Sequence, residues 1–211
     1  MRLISVNVAQ PREVVWKGRV VTTGIFKEPI AGRVAVRKHN LDGDRQADLS
    51  VHGGPEKAVY AYPSEHYGFW RAELPEVECA WGKFGENLTT TGLSEENAYV
   101  GDHFRIGSAI LQVAQPRLPC YKLAAKFNRD DMIERFLSSG RSGIYFSVVA
   151  EGELGVGDEL TLVQRGQDEV TIADMVRLFL GPSNDRALLE KALRLPALPA
   201  FWRKRFQQTK R

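Results

Sequence analysis

Apolar and polar residues alternate with a period of two over much of the first three quarters of the chain, which predicts strands. The alternation runs through Met1–Asn7, Arg33–Arg37, Ala58–Tyr62 and Phe104–Ile106. Ala109–Val113 is a continuous apolar run of the kind a buried strand shows, and Gly143–Val149 reads as another strand. Gly155–Leu162 reads as a turn and then a strand. Many short strands punctuated by glycine predict a barrel or sandwich. Two helices interrupt the pattern. One starts near Pro63-Ser64 and carries Tyr67, Phe69 and Trp70; the other spans the region of Asp130–Leu137, whose acidic start suits a helix N-terminus.

After Val163 the period changes. Thr171 with Asp174 resembles a capping box, and Met175, Val176, Phe179 and Leu180 follow at helical spacing. Gly181-Pro182-Ser183 stops that helix. Asn184-Asp185 opens a second, with Leu188, Leu189, Ala192 and Leu193 on its apolar face. Pro196 and Pro199 break the chain again, and Phe201–Phe206 opens a third helix. The pattern therefore predicts a mainly β (α+β) protein, with a β domain over residues 1–163 and a three-helix appendage over 164–211.

Composition adds limits. The 211 residues suffice for one large domain with a small addition. Hydrophobic content of 43% and charged content of 26% predict a soluble globular chain. No apolar run is long enough to span a bilayer, and the first residues lack a secretory cleavage pattern. Two cysteines in unlike settings argue against a disulfide framework, so a reducing cytoplasm is the expected location. Net charge is +3 and unevenly placed: Val163–Arg211 holds ten Lys/Arg against five Asp/Glu. A basic tail can touch nucleic acid or an acidic protein, but basic residues spread through helical patterns read more plainly as a solvated face.

Cys120 carries the sharpest chemical signal. Pro116 and Pro119 fix φ on either side of Arg117-Leu118, so the segment reaching the cysteine is stiff. Arg117 and Lys122 place positive charge near the sulfur, a setting that favours a thiolate. A stiff cationic loop ending in a lone cysteine suits a metal ligand or a nucleophile. Cys79 is the contrast: Glu76 and Glu78 beside it disfavour a thiolate. Either cysteine can instead be a small buried hydrophobe.

Three further segments carry polar groups of interest. Asn40–Asp48 leads to Val51-His52-Gly53-Gly54-Pro55-Glu56-Lys57, where paired glycines let backbone approach a ligand closely. Successive N–H groups there can form an anion nest, with His52 and Lys57 as added donors; a tight polar turn is the plainer alternative. Phe84–Gly92 offers Glu86, Asn87 and hydroxyls between glycines, suited to orienting a polar heterocycle or phosphate, or simply to local side-chain bonding. Arg141 in Ser139–Gly143 can grip a phosphate bidentately. Other chemistries are absent by motif. There is no P-loop, no Gly-x-Gly-x-x-Gly fingerprint, no Gly-x-Ser-x-Gly elbow, no Cys-x-x-Cys and no paired histidine spacing.

Three of these segments, His52–Tyr60, Phe84–Leu88 and Gln115–Cys120, together resemble the MOSC family, named for the C-terminal domain of molybdenum cofactor sulfurase. Gly43–Leu49 and the terminal three-helix pattern resemble its YiiM subgroup. The resemblance covers essentially the whole chain. It implies a MOSC-type β-barrel with a few peripheral helices and a C-terminal three-helix appendage, binding a molybdenum–pterin cofactor.

The resemblance also implies roles. Cys120 becomes the molybdenum ligand, a soft donor for that metal. Thr23, Lys27, His52, Gly53, Gly54, Lys57, Asn87, Arg117 and Arg141 become candidates for holding pterin and phosphate. The implied reaction is reduction of N-hydroxylated compounds such as 6-hydroxylaminopurine to the amine, with a flavoprotein reductase as electron donor. A different class remains open: a sulfur carrier that bears a persulfide on Cys120. Neither a membrane nor a nucleic acid is an expected partner, and monomer and homodimer both remain open.

Overall fold

A computed structural model of the chain describes residues 1–48, 53–167, 169–181 and 185–209. In chain order its strands are β1 (Arg2–Val8), β2 (Arg12–Trp16), β3 (Arg19–Thr23), β4 (Glu28–Pro29), β5 (Arg33–Arg37), β6 (Asn40–Leu41), β7 (Val59–Pro63), β8 (Leu88–Thr91), β9 (His103–Ile106), β10 (Ala109–Pro116), β11 (Ile144–Ala150), β12 (Gly152–Gly155) and β13 (Leu160–Gln164). The helices are α1 (Glu65–Glu73), α2 (Tyr121–Phe127), α3 (Met132–Ser138), α4 (Ile172–Leu180), α5 (Arg186–Arg194) and α6 (Ala200–Thr209), with a 3-10 turn at Pro55–Lys57.

Eight strands form one sheet in the order β13-β9-β10-β11-β7-β8-β1-β4. β7 and β8 pair in parallel, and the other ladders of this sheet are antiparallel. β7 is buried along its whole length, as its central place requires. β12-β5-β6 make a smaller sheet, where Val34 and Val36 of β5 point inward while Arg33 and Arg37 stay out. The ladder does not close into the expected barrel. Instead a bridge between Arg2 and Glu159 ties β1 to the start of β13, with the Leu160 N–H donating to the Met1 carbonyl at 3.1 Å, the Leu3 N–H to the Asp158 carbonyl at 2.9 Å and the Gly157 N–H to the Leu3 carbonyl at 2.9 Å.

Two features escape a reading by periodicity. β2 and β3 form a hairpin about Lys17-Gly18, both at positive φ, which is the backbone of a type I′ turn. α2 starts immediately after Cys120 and ends at Asn128 in the left-handed conformation. Its seven residues are too few for a clear 3.6-residue period.

Two cores hold the fold. The larger joins the sheet, through residues such as Phe104, Leu111 and Phe146, to Ile172, Met175, Leu188, Trp202 and Phe206 of the C-terminal helices. The second is aromatic and lies among α1, α2, α3 and the 74–87 loop. Tyr62 stacks on Phe84 with ring centroids 4.5 Å apart, and the rings of Trp70 and Phe136 lie nearly parallel with centroids 6.1 Å apart. The capping box at Thr171 forms: its hydroxyl accepts from the Asp174 N–H at 3.0 Å, and the Asp174 carboxylate accepts from the Thr171 N–H at 3.1 Å.

Candidate active site

Cys120 occupies the N-cap position of α2 in an extended conformation, where the stiff Pro116–Pro119 segment meets the helix. It is half-buried and in no disulfide. It opens into a cleft that is continuous with solvent. Thr23, Gly24, Ile25 and Lys27 line one part of that cleft, joined by Arg45, Gln46 and Ala47. Arg117, Leu118, Cys120 and Lys122 line another, and Gly85 and Tyr145 complete it.

The cleft depends on backbone segments that only glycine lets approach. A Cβ on Gly24 would collide with the Arg45 carbonyl oxygen. Gly85, at φ +76°, would place a Cβ 2.6 Å from Ile25 Cγ1. The 23–27 segment is therefore clamped between the 43–47 turn and the 82–86 loop.

Its electrostatics are strongly cationic. Arg117 is buried, donates to the Phe84 carbonyl, and lies 4.9 Å from the centre of the Tyr60 ring. Burial works against its charge, yet Tyr60, Tyr145 and Cys120 beside it hold its pKa above the ordinary arginine value. Lys27, with only 9% of its side chain exposed, pairs with Asp44. Burial lowers the Lys27 pKa, and Asp44 opposes that shift. Asp44 also accepts from the Ala9 N–H at 2.9 Å and from Asn87 Nδ2 at 2.9 Å. Lys122 is buried as well.

A further pair lies behind this face. Glu86 is fully buried and accepts from Tyr67, from the Gly82 N–H at 2.8 Å, from the Phe84 N–H at 3.0 Å and from Thr89 Oγ1 at 3.0 Å. Burial raises its pKa. Lys126 Nζ donates to the carbonyls of Ile25, at 2.8 Å, and Gly82. Burial lowers the Lys126 pKa to about 7, against the attraction of Glu86.

Of the residues singled out from the sequence, Thr23, Lys27, Arg117 and Cys120 come together in the cleft. Lys57 lies close enough to Cys120 to interact with it electrostatically, although burial lowers the Lys57 pKa. Gly53 and Gly54 precede the 3-10 turn, with Gly54 at φ +96°, and do not line the cleft. Asn87 is buried with its amide spent on protein: Oδ1 accepts from the Tyr60 N–H at 3.1 Å, and Nδ2 donates to Asp44 and to the Asn7 carbonyl. Arg141 lies on the Phe69 ring, 3.8 Å from its centre, and does not line the cleft. His52 lies outside the described residues.

Nine lining residues were not candidates from the sequence, among them the polar side chains of Arg45, Gln46, Lys122 and Tyr145. Arg45 and Gln46 sit in the quoted Gly43–Leu49 segment, and Lys122 two places beyond Cys120, so proximity in sequence was the available signal. Tyr145 gave none, because it arrives from β11. The Cys79 thiol has its pKa raised, first by burial; of the carboxylates, Glu86 contributes rather than the sequence neighbours Glu76 and Glu78.

Comparison with known proteins shows the family. The MOSC domain model matches residues 48–161, and the model of the YiiM-like 3-alpha helix domain matches residues 170–208. The chain is 39% identical to YflK of Bacillus subtilis over 208 residues, covering 99% of this chain and 94% of that protein. It is 37% identical to YiiM of Escherichia coli, covering 88% and 84%. It is 33% identical to a protein of Gibberella moniliformis named reductase, covering 87% of this chain but 33% of that longer one. The crystal structure of YiiM from Geobacillus stearothermophilus superposes with a TM-score of 0.82 at 36% identity, covering 99% of this chain and 98% of that one. With a matching domain model, a matching helical extension and a shared fold, the chain belongs to the MOSC domain family, in its YiiM-like branch.

Proposed function

We propose that this protein is a molybdenum-cofactor-dependent reductase that converts N-hydroxylated compounds such as 6-hydroxylaminopurine to the amine. The carrying observation is the cleft's donor set: one half-buried cysteine beside the buried cations Lys27, Arg117 and Lys122. Among the described residues no group of three His, Cys, Asp or Glu side chains is placed to hold a metal ion. A single thiolate with surrounding cations does not chelate a bare ion well. It does fit a metal that arrives with its own chelating ligand and an anionic tail. The family match and the reductase-named relative support the oxidoreductase class.

When bound, the cofactor supplies the two-electron redox chemistry. Cys120 donates a soft thiolate to the metal. Arg117, Lys27 and Lys122 hold the anionic groups, with Arg45 and Lys57 as additional cations. Reduction of an N–OH group to an amine and water consumes two electrons and two protons. Lys27, which lines the cleft with its Nζ on Asp44, is the proposed proton donor there. Tyr145 and Leu118 present apolar surface to a flat base. A flavoprotein reductase supplies the electrons, and the protein works in a reducing cytoplasm. No helix among the described residues is long and apolar enough to cross a membrane.

The test is expression in a host that makes the cofactor, followed by elemental analysis and assay with 6-hydroxylaminopurine. Molybdenum is expected to co-purify. Cys120→Ala is expected to abolish turnover, and Cys79→Ala to retain it. Equal activity in the two variants would sink the assignment. A persulfide on Cys120 in molybdenum-free protein would replace it with the sulfur-carrier reading.

A further inference from the structure

Gln115 stands directly before the Pro116–Cys120 segment, and its side chain is buried. Its Oε1 accepts from Trp202 Nε1 of α6 at 2.8 Å, and its Nε2 donates to the Glu56 carbonyl at 3.1 Å. One amide thus joins three parts of the chain: the cysteine segment, the Gly53–Lys57 turn and the C-terminal helices. The β10–β11 register slips by one residue between Val113 and Gln115, leaving Ala114 extra. A bulge of this kind re-aims the side chains that follow it. Leu118, which lines the cleft, packs on the same core that holds Trp202.

We propose that Gln115 is a positioning residue, through which Trp202 of the C-terminal helices holds the Cys120 segment and the Gly53–Lys57 turn in register. Trp202 is fully buried, and its ring is packed by Phe179 and Phe206 with centroids 5.5 Å away in each case. It is a rigid donor on a rigid element, whereas the Gly-Gly turn has little side-chain packing of its own. The helical extension thereby fixes the sulfur relative to the cations opposite. The inference rests on Cys120 being the functional thiol, but its readout needs neither cofactor nor reductase. Failure of the turnover assay would leave that readout intact.

The test compares Trp202→Phe, which keeps a ring and removes the N–H, with Gln115→Met, which keeps length and removes both bonds. The measurement is the rate at which iodoacetamide alkylates Cys120 in folded protein, read by mass spectrometry with buried Cys79 as internal control. Amide hydrogen exchange is followed over residues 53–57 and 116–120. Each variant is expected to speed alkylation about fivefold or more, the factor expected for one lost buried hydrogen bond. Exchange should quicken in those two segments and not across the sheet, and the double variant should add little. Phe104→Leu, which loosens the sheet core at Phe146 without touching Trp202 or the amide, should leave the alkylation rate unchanged. An unaltered rate in folded Gln115→Met, or an equal change in Phe104→Leu, overturns the inference. Gln115→Met carries the test alone if Trp202→Phe does not fold.

Discussion

Buried charge sets the behaviour of individual residues around the cleft. Lys27 is offset by Asp44, and Lys126 by the more distant Glu86 and by two carbonyl acceptors. Below pH 7 native Lys126 carries its charge against burial. Between about 7 and the ordinary lysine value of 10.5, the unfolded chain still binds a proton that the native chain has released. The Lys126 contribution to stability therefore rises with pH across that window. The stability of the parent relative to Lys126→Met is expected to increase from pH 7 toward 10, measured by urea unfolding; a difference that is flat or falling with pH would refute it. The two cysteines show how far residue-level reading reaches. Contrasting charge near Cys120 and Cys79 was visible locally, but the reason for the Cys79 shift is burial, which neighbouring letters do not encode.

At the level of elements, the cleft is built by close approach of loops. Gly85→Ala must place a Cβ against Ile25 as well as adopt a positive φ, whereas Gly54→Ala meets nothing within 4 Å of its Cβ among the described residues and faces the backbone penalty there. Gly85→Ala is expected to cost about 1–3 kcal/mol from the backbone alone. The steric clash adds to this, so the variant should lose clearly more than Gly54→Ala in chemical denaturation. Equal losses would show that Ile25 yields freely. The strands β5, β9 and β11 and the three C-terminal helices follow the predicted pattern, because each buries a regular face; β7 forms where expected but is buried on both faces. The hairpin β2–β3 and helix α2 were not legible. The hairpin leaves Val15 and Val20 exposed, so its alternation marks no core, and α2 is shorter than two full turns.

For the whole molecule, the decisive fact is one hydrophobic core running from the sheet into the C-terminal helices. Truncation after residue 163 would expose the sheet face that Ile172, Met175, Leu188, Trp202 and Phe206 cover. Each such side chain contributes about 1.5–3 kcal/mol of burial, against a net stability of about 5–15 kcal/mol for a typical domain. Residues 1–163 alone are expected to lose cooperative thermal unfolding and to aggregate. A soluble fragment with a sharp transition would show that the sheet stands by itself.

The sequence alone determined the strand-rich body, the helical end and the family resemblance, and it singled out Cys120 rather than Cys79 as the candidate thiol. Those depend on local periodicity, turn residues and short motifs. Only the tertiary structure decided which polar groups share the cleft. Thr23 and Lys27 reach Cys120 because glycines let three loops close on one another. Asn87 is consumed by Asp44 and two backbone segments, and Arg141 is drawn onto Phe69. Such outcomes are set by which long-range partner satisfies each buried donor or charge, and that competition is resolved only when the chain is packed.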